Sequence, residues 1–213
     1  MKNKTTTGII GVMVASLVLV GQAVPVAAAK PAFGAKLSKF SQPSNAESGR
    51  KCSQGTVIGS GKTCTWVAKD AFQNGNKYKA PKNGRIGKIK LVSCVKGSFR
   101  LQLGRVKRSS NKMRITRSGP YIKYKADPRQ VDGDDDTFCG GEGGDDYRVQ
   151  TFKVNMLVKK GEYIAIKAKK TGTLNCSGGS GTLVHAPPRP VGGAFKKAKD
   201  SMSCTMLIRL VYK

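Results

Sequence analysis

The stretch Thr151-Phe152-Lys153-Val154-Asn155-Met156-Leu157-Val158, then Lys159-Lys160-Gly161-Glu162, then Tyr163-Ile164-Ala165-Ile166, decides the fold class. Phe152, Val154, Met156 and Val158 take every second position, with Lys153 and Asn155 between them. Ile164 and Ile166 resume the same period beyond the glycine. A period of two sends alternate side chains to a core and to solvent, whereas a helix repeats every 3.6 residues. The pattern recurs on both sides. Ile89 and Leu91 alternate with Lys88 and Lys90, and Phe99, Leu101 and Leu103 alternate with Arg100 and Gln102. Near the end, Met206, Ile208, Leu210 and Tyr212 alternate with Leu207, Arg209, Val211 and Lys213.

Asn74-Gly75, Asn83-Gly84, Ser118-Gly119-Pro120, Lys160-Gly161-Glu162 and Thr171-Gly172 punctuate these runs as turn signals. No segment has a convincing amphipathic helix; Ala194–Lys199 is too short. Short strands joined by glycine-rich turns predict an all-β chain: an antiparallel, jelly-roll-like β-sandwich. Residues 52–213 are expected to form one such domain, without internal repeats.

The N-terminus reads differently. Lys2 and Lys4 precede an uncharged stretch from Gly8 to Gly21, then Pro25 and the small residues Ala27-Ala28-Ala29. A basic start, an apolar centre and an A-x-A site predict a cleavable secretory signal over residues 1–29. The apolar centre is shorter than the roughly 20 residues a spanning helix needs. Nothing downstream is apolar enough to span, so the mature chain is expected to lack a transmembrane segment. Residues 30–51, rich in Ser, Lys, Ala and Pro, read as a flexible lead-in. The protein is expected to be secreted, acting outside the cell or at its surface.

Six cysteines, Cys52, Cys64, Cys94, Cys139, Cys176 and Cys204, all follow the signal. An even number in an oxidising compartment predicts three disulfides, a framework that permits 15 connectivities. Cys52–Cys64 is the expected local pair, because the two bracket one short loop. Zinc is disfavoured, since no C-x-x-C pair occurs and His185 is the single histidine.

Charge is the strongest compositional signal. The chain has 39 Lys+Arg against 12 Asp+Glu. Removing the two lysines of the signal leaves 37 − 12 = +25. Seven acids crowd into residues 132–146, so the rest of the mature chain stands at 37 − 5 = +32. Such a charge repels itself and attracts polyanions. Lys88, Lys90, Arg100, Lys153, Lys167, Lys169 and Arg209 fall on the solvent phase of their strands and are the candidate polyanion-binding residues. The competing explanation is that lysines on edge strands discourage sheet-to-sheet aggregation. An anionic polysaccharide or cell-wall polymer is the candidate partner, with nucleic acid bound only non-specifically.

No cofactor is certain from the sequence. Calcium is the candidate ion, and Asp132, Asp134, Asp136, Glu142, Asp145 and Asp146 are its candidate ligands. The EF-hand pattern fails, since Thr137 stands where its glycine belongs and Gly143 where its glutamate belongs. The alternative for this segment is a solvated acidic loop. Gly59-Ser60-Gly61-Lys62-Thr63 is no phosphate-binding loop, because Thr56 replaces the first glycine. Catalytic signals are thin. There is no G-x-S-x-G elbow, and His185, beside Ala186-Pro187-Pro188, reads as a surface-loop residue. No carboxylate pair stands out for glycoside hydrolysis. Trp66, near Cys64, reads as a core residue packed against a disulfide.

Tyr78-Lys79-Ala80-Pro81-Lys82-Asn83-Gly84-Arg85-Ile86 and Phe99-Arg100-Leu101-Gln102-Leu103 resemble the opening strands of a group of secreted actinobacterial β-sandwich proteins. Thr151 to Ile166 resembles their "F-x-V … V-x-x-G-D/E-x-I-x-I/L" hairpin, and the Pro187-Pro188 loop and the strand from Thr205 to Val211 also fit. The likeness covers roughly residues 65–213 and implies a jelly-roll-like fold and an extracytoplasmic location, without an activity or site residues. The cysteines, the lysine content and the acidic segment depart from it. Three readings remain: a non-catalytic binder of an anionic polymer, a structural envelope protein, and an extracellular carboxylate-dependent hydrolase. Oligomeric state is not legible.

Overall fold

Apolar residues at every second position need a partner sheet, and the chain supplies two. The computed structural model describes residues 29–37, 50–52, 63–69, 77–93, 96–125, 149–175 and 181–213. In chain order the strands are β1 (Ala32–Gly34), β2 (Arg50–Lys51), β3 (Cys64–Ala68), β4 (Gly84–Leu91) and β5 (Gly97–Lys107). They continue with β6 (Lys112–Tyr124), β7 (Gln150–Val158), β8 (Tyr163–Ala168), β9 (Lys170–Thr171) and β10 (Leu174–Asn175). The last are β11 (Thr182–His185), β12 (Lys196–Lys197), β13 (Asp200–Met202), β14 (Thr205–Met206) and β15 (Ile208–Tyr212).

A four-stranded antiparallel sheet runs β1-β15-β4-β7, and a seven-stranded one runs β12-β6-β5-β8-β3-β11-β13. Count β1, β3, β4, β5, β6, β7, β8 and β15 as eight successive strands. The smaller sheet is then ordered first, eighth, third, sixth, and the core of the larger one second, seventh, fourth, fifth. This interleaving is a jelly roll. β11 and β13 extend the larger sheet beyond β3, and β12 extends it beyond β6. The protein is an all-β antiparallel sandwich.

The core lies between the sheets. Ile86, Ile89 and Leu210 from the smaller sheet and Trp66, Leu101 and Ile166 from the larger one are at most 1 % exposed. Along β7, Val154, Met156 and Val158 are buried while Thr151, Lys153, Asn155 and Leu157 are exposed, in the phase that the sequence predicts. Cys52 and Cys64 form a disulfide with Cα atoms 5.8 Å apart. Cys204 is also disulfide-bonded. Cys94, Cys139 and Cys176, the acidic segment with all six candidate calcium ligands, and residues 1–28 lie outside the described residues. No helix among the described residues is long and apolar enough to cross a membrane.

Four sequence expectations need correction. The 151–166 segment is not a hairpin, for β7 pairs with β4 while β8 lies between β5 and β3. The turn is a corner between the sheets. Its backbone is engaged by residues 77–80: Ala80 N–H donates to Glu162 O at 2.7 Å and Gly161 N–H to Ala80 O at 2.9 Å. Ser118-Gly119-Pro120 is not a turn but a bulge within β6, where the register with β5 shifts. Proline is tolerated there because the ladder is already interrupted. The lead-in begins inside the fold: β1 pairs with β15 and buries Phe33, a strand too short to display a period. His185 ends β11 and is buried instead of lying in a surface loop.

Candidate polyanion-binding face

The outer face of the four-stranded sheet is built by alternation. On β4, Ile89 and Leu91 point inward, so Lys88 and Lys90 point outward. β15 buries Ile208, Leu210 and Tyr212 and turns Arg209 outward, and β7 turns Lys153 outward. Register then brings these four together. Lys88 stands opposite Lys153, and Lys90 stands opposite Arg209. Directly opposed residues on paired strands have Cβ atoms about 4.5–5.5 Å apart, and like charges at that spacing are destabilising. Two such pairs stand side by side on one sheet face.

Two further cations join them. Arg85 points outward ahead of the bulge between Ile86 and Lys88, and its Nη1 donates to Asn155 Oδ1 at 2.8 Å. Lys213 lies against β4 at Gly87, where a Cβ would stand 2.7 Å from Lys213 Cγ. The bulge breaks the period of two at Gly87, which hid Arg85 from a pattern search. Lys213 does continue the phase of β15 and was legible in the sequence.

Of the twelve acids in the chain, Glu162 and Asp200 are described. Glu162 is 1 % exposed; its Oε1 accepts from Arg117 Nε at 3.2 Å and its Oε2 from Lys159 N–H at 2.7 Å. Asp200 sits on β13, the far edge of the other sheet, and accepts from Ser201 N–H at 2.7 Å. Neither of these two acidic side chains lies on the outer face of the lysine-bearing sheet. Arg117–Glu162 is an ion pair between two described side chains.

The remaining predicted residues lie elsewhere. Arg100 and Lys167 are opposed on the outer face of the seven-stranded sheet, with the Arg100 guanidinium 5.6 Å from the Tyr121 ring centre. Lys169 is exposed just beyond β8. The seven residues therefore do not share one surface: four face one way and two the other. Beside the four, an open cleft of about 1000 Å³ follows the free edge of β7 and the bulge of β6. Arg85, Arg117 and Lys153 supply its charge, and Ser118, Asn155 and Leu157 part of its walls.

The chain matches no family model, no curated protein and no solved structure. Among the described residues no three His, Cys, Asp or Glu side chains gather as a metal site.

His185 bears on stability. Its Nδ1 lies 2.9 Å from Pro187 O. Burial holds its pKa below the ordinary value; the Pro187 carbonyl acts the other way, and Arg189, Lys199 and Lys196 add repulsion. The unfolded chain therefore takes up this proton more readily than the folded one. The stabilisation is complete above the ordinary histidine pKa of about 6.5 and is lost as pH falls below it. Between about pH 7 and pH 5, unfolding curves should show wild type losing stability relative to His185→Gln. A difference that is constant with pH would remove histidine from the account.

Proposed function

We propose that this is a secreted, non-catalytic β-sandwich that binds an anionic polymer of the cell envelope or its surroundings through the outer face of the four-stranded sheet. One observation carries the reading: Lys88 opposes Lys153 and Lys90 opposes Arg209, with neither described acidic side chain on that face. Same-face positions along a strand are about 6.5–7 Å apart and neighbouring strands about 4.8 Å apart. The cations thus form a grid that a chain of repeated negative groups can cover. Each anion placed between opposed cations relieves a repulsion that the free protein carries.

The edge-protection explanation fits Lys153, because β7 is an edge strand. It does not fit Lys88, Lys90 or Arg209, because β4 and β15 are the inner strands of that sheet. That distinction favours binding over a purely structural role. Secretion is part of the proposal; it is supported by the N-terminal pattern and by the Cys52–Cys64 bond, which belongs to an oxidising compartment.

The test is binding of the disulfide-bonded protein to anionic and neutral polymers across a salt series. Log affinity should fall linearly with log salt, as it does when cations displace the counterions of a polyanion. One anionic polymer should stay bound near physiological salt after others have dissociated. Equal binding to every polyanion, all lost by physiological salt, would leave the structural role in its place.

A further inference from the structure

The end of the sandwich at the β7–β8 corner carries a second cavity, of about 410 Å³. Lys79, Arg105 and Lys160 supply its charge, and Val106, Tyr163 and Phe195 its apolar wall. Arg105 Nη2 donates to Lys160 O at 3.3 Å, which draws the guanidinium toward the corner. Gly161, in the corner, has φ +86°, and a Cβ there would lie 3.6 Å from both Arg105 Nη1 and Lys79 Cε. The two cationic side chains thus converge on space that a side chain at residue 161 would begin to fill. Glycine supplies the left-handed backbone and keeps that space open.

Around this pocket the charge is one-sided. Arg105 on β5 stands directly opposite Arg114 on β6, and Lys107 opposite Lys112. The Arg114 guanidinium and the Lys107 ammonium lie 4.7 and 4.9 Å from the Phe195 ring centre. Arg114 Nε is buried without a hydrogen-bond partner. Neither described acid lines the cavity: Glu162 is engaged by Arg117 and Lys159, and Asp200 lies on β13. A guanidinium fork flanked by two ammonium groups suits a compact, doubly charged oxyanion. The apolar wall suits a small carbon skeleton attached to it. Pockets of a few hundred Å³ take single small ligands.

We propose that this pocket is a binding site for one phosphate group, free or esterified to a small organic residue. The inference stands apart from the polymer-binding face, for the pocket shares no residue with the Lys88–Lys153 and Lys90–Arg209 pairs.

The experiment is a backbone-amide NMR titration of the disulfide-bonded protein with inorganic phosphate and with glycerol 1-phosphate at physiological salt. Sodium chloride and glycerol serve as controls. Saturable shifts centred on Gly161, Arg105 and Phe195 with one-to-one stoichiometry are expected. Arg105→Gln and Lys160→Gln should each weaken binding about tenfold or more, the worth of one charge-assisted hydrogen bond. Arg105→Lys, which keeps the charge without the fork, should fall between wild type and Arg105→Gln. Lys123→Gln, exposed at the far end of β6, should leave the titration unchanged. Tighter binding of the ester assigns the pocket to organic phosphates, and equal binding assigns it to free phosphate. Shifts spread evenly over all exposed lysines, or an Arg105→Gln protein that binds as wild type does, would overturn the site. The polymer-binding test would be untouched by that outcome.

Discussion

Replacing Lys88, Lys90, Lys153 and Arg209 together by glutamine should abolish most polymer binding while making the fold slightly more stable. Each lysine or arginine close to an anionic surface contributes about 1 kcal/mol, so four removals correspond to roughly a thousandfold in affinity. The slope of log affinity against log salt should flatten by about three to four, close to one per lost contact. Stability should move the other way. The two opposed like-charge pairs each destabilise the sheet by roughly 0.2–1 kcal/mol, and glutamine removes both repulsions. Binding isotherms and chemical denaturation on the same protein measure the two effects. Arg100→Gln with Lys167→Gln is the matched control, because that opposed pair lies on the other sheet's outer face. It should relieve a similar repulsion and cost far less binding. A quadruple variant that binds normally would end the proposed function. So would a control that loses as much binding as the quadruple variant, since charge would then act without regard to place.

How much of this was legible in the sequence follows from what alternation encodes. A period of two states which side chains share a face of their own strand, so Lys88 with Lys90 could be read directly. It carries no information on which strands become neighbours. Lys153 is 65 positions from Lys88, and Arg209 is 119 positions from Lys90 (153 − 88 and 209 − 90). Only the jelly-roll interleaving makes them partners, and the same interleaving sends Arg100 and Lys167 to the opposite side. The 151–166 segment displays the limit clearly. Its strands and turn were correct, yet a turn between two strands does not say whether they stay in one sheet. Glu162 is buried at that corner, and an acidic residue after a glycine gave no hint of burial. The candidate calcium ligands fall outside the described residues, so the structure leaves that reading where the sequence put it.

Glu162 also gives the second large expected effect. It is buried at the β7–β8 corner, and its carboxylate serves two donors, Lys159 N–H at 2.7 Å and the Arg117 guanidinium at 3.2 and 3.3 Å. Glu162→Ala strands a backbone donor and leaves Arg117 without its counter-charge. Breaking a buried pair from one side costs about 3–5 kcal/mol. Arg117 is 27 % exposed and can reach water, so the cost here should be about 2–4 kcal/mol. For a chain of this size that is a fall of roughly 5–15 °C in melting temperature. Glu162→Gln keeps the shape and one acceptor for Lys159 N–H, and should cost about 1–2 kcal/mol. The glutamine variant has a second consequence, because Arg117 shares the cleft with Arg85 and Lys153. Removing its carboxylate adds a cation to the cleft's margin, so polymer binding should tighten several-fold while stability falls. The quadruple variant moves both quantities in the reverse sense. If Glu162→Gln destabilises the protein and leaves binding unchanged, the polymer keeps to the sheet face and the cleft lies outside its path. If neither quantity moves, the backbone bonds to residues 77–80 hold the corner without help from the carboxylate.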